Sequence, residues 1–228
     1  TKSEIFTKEI KSLELKKSSV NGVFFRKDKN FIKYENNYIH MTPLKSGKYI
    51  KHLRDNKVNF VISNSIKVGN CLEVGAGDGF NLKILKSKKY TICDPFIKPK
   101  NEKKIKFINQ YYENTNFQEK FDTILMFSVL EHAYNFEKFL EKSKKNLKSN
   151  GHIFLSIPII DEQFQNGDFN CLLHEHINYF SMEGIFNVFK KYKFRVKNFY
   201  VKNDNGFFCI VNEDKKLKLQ LYSKIFNL

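Results

Sequence analysis

Three glycines and two acids stand within seven positions of the chain, in the order Glu73, Val, Gly75, Ala, Gly77, Asp78 and Gly79. The apolar run before them predicts a strand and the residues after them a helix. Glycine permits a sharp turn and a close approach of a ligand to the backbone, and a helix start presents free N–H groups. The glycine pattern alone is a weak signal, but its position between strand and helix favours a binding loop.

A carboxylate, Asp94, ends the next predicted strand, twenty-one residues after Glu73. A carboxylate at this point can accept hydrogen bonds from both hydroxyls of a ribose. Asp94 also precedes Pro95, and by itself it would be interpreted as a turn residue. Combined with the glycine loop, it predicts a ligand that contains a nucleoside.

A second polar group, His174-Glu175-His176, lies in the loop after the last predicted parallel strand, shortly before Tyr179 and Phe180. A positioned histidine can take the proton of a weakly acidic hydroxyl, and a neighbouring carboxylate can orient or stabilise it. The two histidines could also bind a metal or be structural, but no spaced acid pair completes a metal site, so none is predicted. Tyr179 and Phe180 are either core anchors of this loop or contacts to the substrate.

Strands and helices alternate in the middle of the chain. The pattern predicts strands at 71–74, 90–93, 105–108, 123–127 and 152–157, and helices at 80–86 and 136–147. Asn150 and Gly151 are expected to end the second helix. Strands separated by helices indicate a parallel, doubly wound sheet covered on both faces.

The two ends of the chain predict further elements. Ser181 is expected to cap a helix, and strands at 194–201 and 206–211 to form an antiparallel hairpin. In the N-terminal part we expect a hairpin of 23–26 with 31–34 and a helix at about 46–56, and at the C-terminus a helix within 215–228. The division into domains is an N-terminal cap on the substrate side at 1–66, a catalytic domain at 67–212 and a tail at 213–228.

Three motifs in order resemble those of class I S-adenosylmethionine-dependent methyltransferases. Residues 71–80 resemble the first motif of that family, and residues 121–132 and 146–158 resemble its fourth-strand and fifth-strand motifs. The resemblance implies an α/β, Rossmann-like fold with a seven-stranded, mostly parallel sheet, helices on both faces and a C-terminal antiparallel hairpin. It also implies that the chain is an enzyme with S-adenosylmethionine as its cofactor and S-adenosylhomocysteine as its product.

The resemblance implies nine cofactor-binding residues: Glu73, Gly75, Ala76 and Gly77 at the amino-acid half, Asp94 at the ribose, Asn109 and Gln110 at the adenine, and Ser128 and Leu130 at the methionine part. A nicotinamide-dependent dehydrogenase fits less well. Its three-glycine fingerprint would not place Glu73 before the first glycine and Asp78 between the last two.

The His-Glu-His phrase, with the Tyr-Phe-Ser run after it, resembles methyltransferases that modify nucleotide-linked sugars. This resemblance implies catalytic roles for His174, Glu175 and His176, with His176 as the general base. The sugar C-methyltransferases carry a cysteine-rich zinc segment and a long C-terminal domain, which the sequence lacks. The prediction is therefore an O-methyltransferase for a sugar, a nucleotide-activated sugar or a related phosphorylated precursor of a surface glycan such as capsule or lipopolysaccharide. Alternatives are a nucleotide-sugar C-methyltransferase, an RNA methyltransferase and a non-catalytic cofactor-binding protein of the same fold.

The composition of the chain bears on the type of acceptor, on membrane spans and on the location of the protein. The net charge of +16 permits a nucleic-acid partner, but the lysines are spread along the chain and arginine occurs only at three positions, which favours a small-molecule acceptor. No apolar run approaches the roughly 20 residues of a membrane span. The four widely spaced cysteines predict reduced, mostly buried thiols, and with no signal-peptide pattern the expected location is the cytoplasm.

Overall fold

The computed structural model describes residues 14–27, 47–77, 79, 81, 85, 87, 89–96, 105–167, 172, 176–202 and 204–212. Seven strands form the larger sheet: β3 (Asn70–Val74), β4 (Lys89–Cys93), β5 (Ile105–Ile108), β6 (Phe121–Phe127), β7 (Leu147–Pro158), β9 (Phe194–Lys202) and β10 (Asn205–Asn212). Three short strands form a second sheet: β1 (Leu15–Lys17), β2 (Val23–Arg26) and β8 (Asn178–Phe180). The helices are α1 (Gly47–Ser63), α2 (Phe136–Asn146), α3 (Asp161–Gln165) and α4 (Met182–Lys191), with 3₁₀ turns at Tyr112–Asn114 and Leu130–His132.

The larger sheet has the strand order β5-β4-β3-β6-β7-β10-β9. The first five of these strands pair in parallel, whereas β10 is antiparallel to both β7 and β9. The predicted seven-stranded, mostly parallel sheet with a C-terminal hairpin is therefore confirmed. Strand order reverses between β3 and β6, so the crevice at the carboxyl ends of these two strands is where ligands bind in sheets of this kind.

Both faces of the sheet are covered, as its continuous apolar strands require. On one face, Val58, Phe60 and Val61 of α1 pack with residues such as Leu125 and Phe154. On the other face, α2 and α4 pack with the alternate residues of the same strands. The division of the chain at residue 66 stays a prediction. Helix α1, which precedes residue 66, packs into the core of the larger sheet.

The small sheet is attached to the start of α4. Ser181 caps this helix by accepting a hydrogen bond from the N–H of Gly184 (2.9 Å), which confirms the predicted N-cap. The Ser181 hydroxyl also donates to the carbonyl oxygen of Gly22 at 2.9 Å. β8 pairs with β2, so the loop before α4 is tied to the N-terminal hairpin.

Three local predictions differ from the structure. Residues 23–26 pair with β1 and β8 in the described part of the chain, and residues 31–34, their predicted partner, lie outside it. The second predicted helix ends at Asn146, because Leu147 adopts an extended conformation and pairs with Phe121, so Asn150 and Gly151 lie inside β7. The helix predicted at about 46–56 begins at Gly47 as expected but continues to Ser63.

Two other helix predictions fall on residues that are largely or wholly outside the described ones. In the segment 80–86, the N–H of Leu85 donates to the carbonyl oxygen of Asn81 at 3.0 Å, which is the spacing of one α-helical turn. The predicted helix within 215–228 lies beyond the described residues. Within those residues, no helix is long and apolar enough to cross a membrane.

Candidate active site

The glycine loop follows β3 and turns against the end of β6. Gly75 and Gly77 have φ values of +65° and +58°, a region that residues with a side chain rarely adopt. A Cβ atom on Gly75 would lie 2.7 Å from Cγ2 of Val129, and the N–H of Gly75 donates to the carbonyl oxygen of Cys93 at 2.9 Å. The glycine is therefore needed both for the turn and for the close contact with the segment after β6.

Asp94 lies beside this loop with only 5% of its surface exposed. Its Oδ2 accepts a hydrogen bond from the N–H of Gly77 (3.1 Å), and its Oδ1 accepts one from the N–H of Phe96 (2.8 Å). A carboxylate oxygen can accept more than one hydrogen bond, so Asp94 keeps acceptor capacity for a ribose while it holds the loop.

Glu73 is also buried, at the penultimate position of β3. Its two carboxylate oxygens accept hydrogen bonds from the Asn81 side chain (2.6 Å) and from the Tyr90 hydroxyl. Burial, and next the charge of Glu73, raise the pKa of Tyr90, so the phenol stays protonated and remains a donor. Sequence reasoning did not find Tyr90, which lies in a strand with an otherwise apolar pattern.

The residues predicted at the adenine side lie at the end of β5. The Asn109 side chain donates to the carbonyl oxygens of Asp94 (3.2 Å) and Pro95 (2.7 Å), so it braces the turn that carries the acid. The carbonyl oxygen of Gln110 accepts a hydrogen bond from the thiol of Cys93 at 3.3 Å. Phe96 and Tyr111 form an exposed edge-to-face pair beside this turn, with ring centroids 5.7 Å apart. An exposed aromatic surface at this point suits a planar base. Phe96 was not predicted from the sequence.

Ser128 follows β6 directly and has a φ of +57°, a strained conformation for a residue with a side chain. Its hydroxyl accepts a hydrogen bond from Lys57 of α1 at 3.0 Å. Burial lowers the pKa of Lys57, whereas the charges of Glu131 and Glu73 act in the opposite direction. Lys57 carried no motif and was missed. The side chain of Leu130 is fully buried in the core.

A cluster of two histidines and one glutamate lies next to Ser128. The ring of His176 is 5.0 Å from the ring of His132, and Glu131 is 1% exposed. Burial raises the pKa of Glu131 above its usual range, against the opposing effect of His132. His174 and Glu175, predicted beside His176, lie outside the described residues. Of the two interpretations of Tyr179 and Phe180, the structure supports the core anchors, because they are 2% and 0% exposed.

Residues 47–198, about two thirds of the chain, match a family model described as a methyltransferase domain. The chain belongs to the methyltransferase domain family. It is 26% identical over 163 residues to an uncharacterized protein of Methanocaldococcus jannaschii, with 65% of this chain and 78% of that protein aligned.

Solved structures with the same fold include two bacterial proteins. One is an S-adenosylmethionine-dependent methyltransferase from Clostridium acetobutylicum, with a TM-score of 0.57, 14% identity and 74% of this chain and 94% of that chain covered. The other is the N-methyltransferase NodS from Bradyrhizobium japonicum in complex with S-adenosyl-L-homocysteine, with a TM-score of 0.58, 16% identity and coverage of 75% and 91%.

The predicted enzyme class and the predicted cofactor, S-adenosylmethionine, are confirmed by this family membership. The residues at the crevice fit that cofactor. Positive-φ glycines leave room for its amino-acid half, Asp94 offers acceptors for its ribose, and the buried carboxylate of Glu73 suits a ligand that carries a positive sulfonium and ammonium. The individual assignments of the nine cofactor residues and of the three catalytic residues remain predictions.

Proposed function

We propose that this methyltransferase acts on a hydroxyl of a sugar, of a nucleotide-activated sugar or of a related phosphorylated surface-glycan precursor, and that His176 accepts the proton of that hydroxyl. The observation that carries the proposal is the place of His176, nearly buried in the loop beside the end of β6. The residue types around it, imidazole and carboxylate, are those that general acid–base catalysis uses.

The cofactor loop and the histidine cluster meet through one short segment. Val129 packs against Gly75 of the loop, and Glu131 and His132 follow Val129 within three positions. A methyl donor in the loop and an acceptor at the histidines would therefore both lie beside this turn. Such proximity and alignment supply most of what an in-line displacement needs.

The cofactor supplies an electrophilic methyl group: the O–CH₃ bond forms as the S–CH₃ bond breaks, and its electron pair stays on sulfur. The chain must remove the hydroxyl proton as this happens, since an alcohol is a weak nucleophile. In the proposal the O–H bond breaks towards a ring nitrogen of His176. Tyr179 supports the position of His176 by donating its hydroxyl proton to the backbone carbonyl oxygen of His176 at 3.2 Å.

The sugar class of acceptor rests on the sequence phrase around His176. The His-Glu-His group and the Tyr-Phe-Ser run resemble methyltransferases of nucleotide-linked sugars, and the buried Tyr179 and Phe180 explain why such a run accompanies the histidines, because they anchor the loop in the core. Surplus positive charge on the chain favours a phosphorylated acceptor.

The test is a methyl-transfer assay with purified protein, S-adenosylmethionine and a panel of nucleotide sugars, sugar phosphates and RNA. We expect S-adenosylhomocysteine to form with a sugar acceptor, and NMR of the product to place the new methyl group on oxygen. His176→Ala should lower kcat by about 100-fold or more while the affinity for S-adenosylhomocysteine stays within a few-fold.

His152→Ala is the matched control, because His152 lies on β7 and its ring faces Lys197 rather than the crevice. It should retain full turnover. Transfer to RNA alone would overturn the acceptor class. Transfer to carbon would overturn O-methylation, and unchanged turnover of His176→Ala would overturn the role of His176.

A further inference from the structure

We propose that Glu131, His132 and His176 form a binding site for a divalent first-row transition-metal ion. One ligand atom from each residue, a carboxylate oxygen and two ring nitrogens, lies within 4.8 Å of the other two. Ligands about 2.1 Å from a tetrahedral ion stand roughly 3.4 Å apart, so small side-chain rotations would close the site. The sequence pointed to no metal here, because the carboxylate comes from a distant segment of the chain.

Backbone hydrogen bonds hold the two segments that carry these ligands together. The N–H of Ile177 donates to the carbonyl oxygen of Glu131 at 2.8 Å. The side-chain amide of Asn178 donates to the carbonyl oxygens of Leu130 (3.2 Å) and Ala133 (2.6 Å), one on each side of Glu131 and His132. The backbone that carries the three ligands is thus held in place by contacts other than those of the ligand side chains.

The buried carboxylate of Glu131 is the strongest indication that a cation binds here. It is 1% exposed, and its Oε2 has no hydrogen-bond partner among the described residues. Its Oε1 is 4.0 Å from Nε2 of His132. A buried carboxylate oxygen without a donor is costly, and a bound cation would satisfy it.

Two further charged groups lie near the site. The ammonium of Lys57 donates a hydrogen bond to the hydroxyl of Ser128 at 3.0 Å, and the charges of Glu131 and Glu73 both act on Lys57. Lys57 thus interacts with both acids through its charge, and its described hydrogen bond goes to Ser128. The carboxylate of Glu131 is left to face the two imidazoles.

The ligand types define the class of ion. Two imidazoles and one carboxylate are the set that binds zinc in several hydrolases and iron in many oxygenases, whereas magnesium and calcium prefer oxygen ligands alone. Three protein ligands leave at least one coordination position open. In the crevice, that position would receive the hydroxyl oxygen of the methyl acceptor.

The chemical role of the ion rests on the proposed function. A divalent ion lowers the pKa of a hydroxyl bound to it, so the O–H proton can pass to solvent water before the oxygen attacks the methyl group. In the metal-loaded protein, His176 is a ligand and the ion promotes proton loss. In the metal-free protein, the imidazole of His176 is available as the base.

Metal binding is measured directly, without an acceptor. Protein dialysed against a chelator is titrated with Zn²⁺ by calorimetry and with Co²⁺ by visible absorption, whose bands report nitrogen, oxygen or sulfur ligands. We expect one equivalent to bind, with a cobalt spectrum free of thiolate charge-transfer bands. Glu131→Gln and His132→Ala should each weaken binding by at least tenfold, and His152→Ala should leave it unchanged.

Calorimetry with S-adenosylhomocysteine shows that each variant is folded, and Glu131→Gln serves as the conservative variant if His132→Ala is unstable. Absence of a stoichiometric site in the wild type would overturn the inference, and so would equal affinity in Glu131→Gln or thiolate bands in the cobalt spectrum. Metal binding without transfer to any sugar would refute the proposed acceptor but keep the site. Transfer to a sugar in chelated protein would refute the metal's role and leave His176 as the direct base.

Discussion

The backbone N–H of Gly77 donates a hydrogen bond to the carboxylate of Asp94, with 3.1 Å between the nitrogen and Oδ2. This bond joins the loop after β3 to the turn after β4, two segments that bind opposite ends of a nucleoside ligand in sheets of this order. Asp94 is therefore predicted to have two tasks, because its carboxylate is also the expected acceptor for the ribose hydroxyls. Substitutions of Asp94 separate these tasks.

Asp94→Ala should weaken binding of S-adenosylhomocysteine by about 10- to 100-fold, because charge-assisted hydrogen bonds contribute roughly 1.5–3 kcal/mol each. Asp94→Asn should lose less, since its amide oxygen can still accept from one backbone N–H. Calorimetric titration measures both affinities. Glu137→Ala, which removes an acid from the ion pair with Lys191 on the surface, should bind like the wild type. Unchanged affinity in Asp94→Ala would place the ribose elsewhere.

Tyr90→Phe tests the support of Glu73. Loss of the hydroxyl removes a hydrogen bond to the buried carboxylate, which should lower the free energy of unfolding by about 1–3 kcal/mol. Cofactor affinity should fall several-fold, because Glu73 then loses one of the donors that orient it. Urea unfolding and calorimetry measure the two effects.

Tyr200→Phe is the control for this substitution. The Tyr200 hydroxyl donates to the backbone carbonyl oxygen of Asn56 at 3.3 Å in a partly exposed place, so its loss should cost less than about 1 kcal/mol. In a double-mutant cycle with Glu73→Gln, Tyr90→Phe should show a coupling energy of at least about 0.5 kcal/mol. Additivity of the two substitutions would show that the hydroxyl does not support Glu73.

Gly184→Ala should separate the small sheet from α4. A Cβ on Gly184 would overlap the backbone of Gly22, and neither backbone can move without breaking the Ser181 cap. Overpacking of this kind costs typically 1–3 kcal/mol, and here the contact is with backbone rather than with a flexible side chain. Thermal unfolding should show a lower Tm, whereas Lys190→Ala on the exposed side of the same helix should change it little. An unchanged Tm in Gly184→Ala would mean that this contact opens at little cost.

Most of the fold could be predicted from local pattern. Continuous apolar runs between amphipathic segments indicated β3 to β7, and the polar turn before Gly206 indicated the final hairpin, because these signals lie within a few residues of the elements they define. The end of α2 was misplaced because Asn150 and Gly151 are a strong local stop signal, whereas the pairing of Leu147 with Phe121 is a tertiary contact. The pairing of β2 was also mispredicted, because β2 lies between β1 and β8, and β8 comes from far along the chain.

The candidate site divides in the same way. The glycine loop and Asp94 are recognisable because their types and spacing belong to one local unit. The grouping of Glu131 and His132 with His176 cannot be recognised from the sequence. It depends on hydrogen bonds between the turn after β6 and the segment at the start of β8. Lys57 lies on a helix whose pattern gives no reason to expect a cation in the crevice, and only its bond to Ser128 shows it.

The thiols of Cys71, Cys93 and Cys209, free and buried in the structure, should be almost inert in the native protein. Burial is the main cause that raises the pKa of Cys93 to about 11 and that of Cys209 to about 12. Because only the thiolate reacts with alkylating reagents, roughly one Cys93 side chain in a thousand would be reactive at pH 8, and reactivity should rise about tenfold per pH unit up to the pKa.

In a Cys171→Ser background, a short pulse of iodoacetamide at pH 8 followed by peptide mass spectrometry should therefore leave all three thiols unmodified. The same pulse in urea should modify all three, which serves as the control for reagent and digestion. Fast labelling of Cys93 in native protein would mean that the end of β4, which carries both Cys93 and the turn to Asp94, opens readily. Protection that increases with S-adenosylhomocysteine would then connect that opening to cofactor binding.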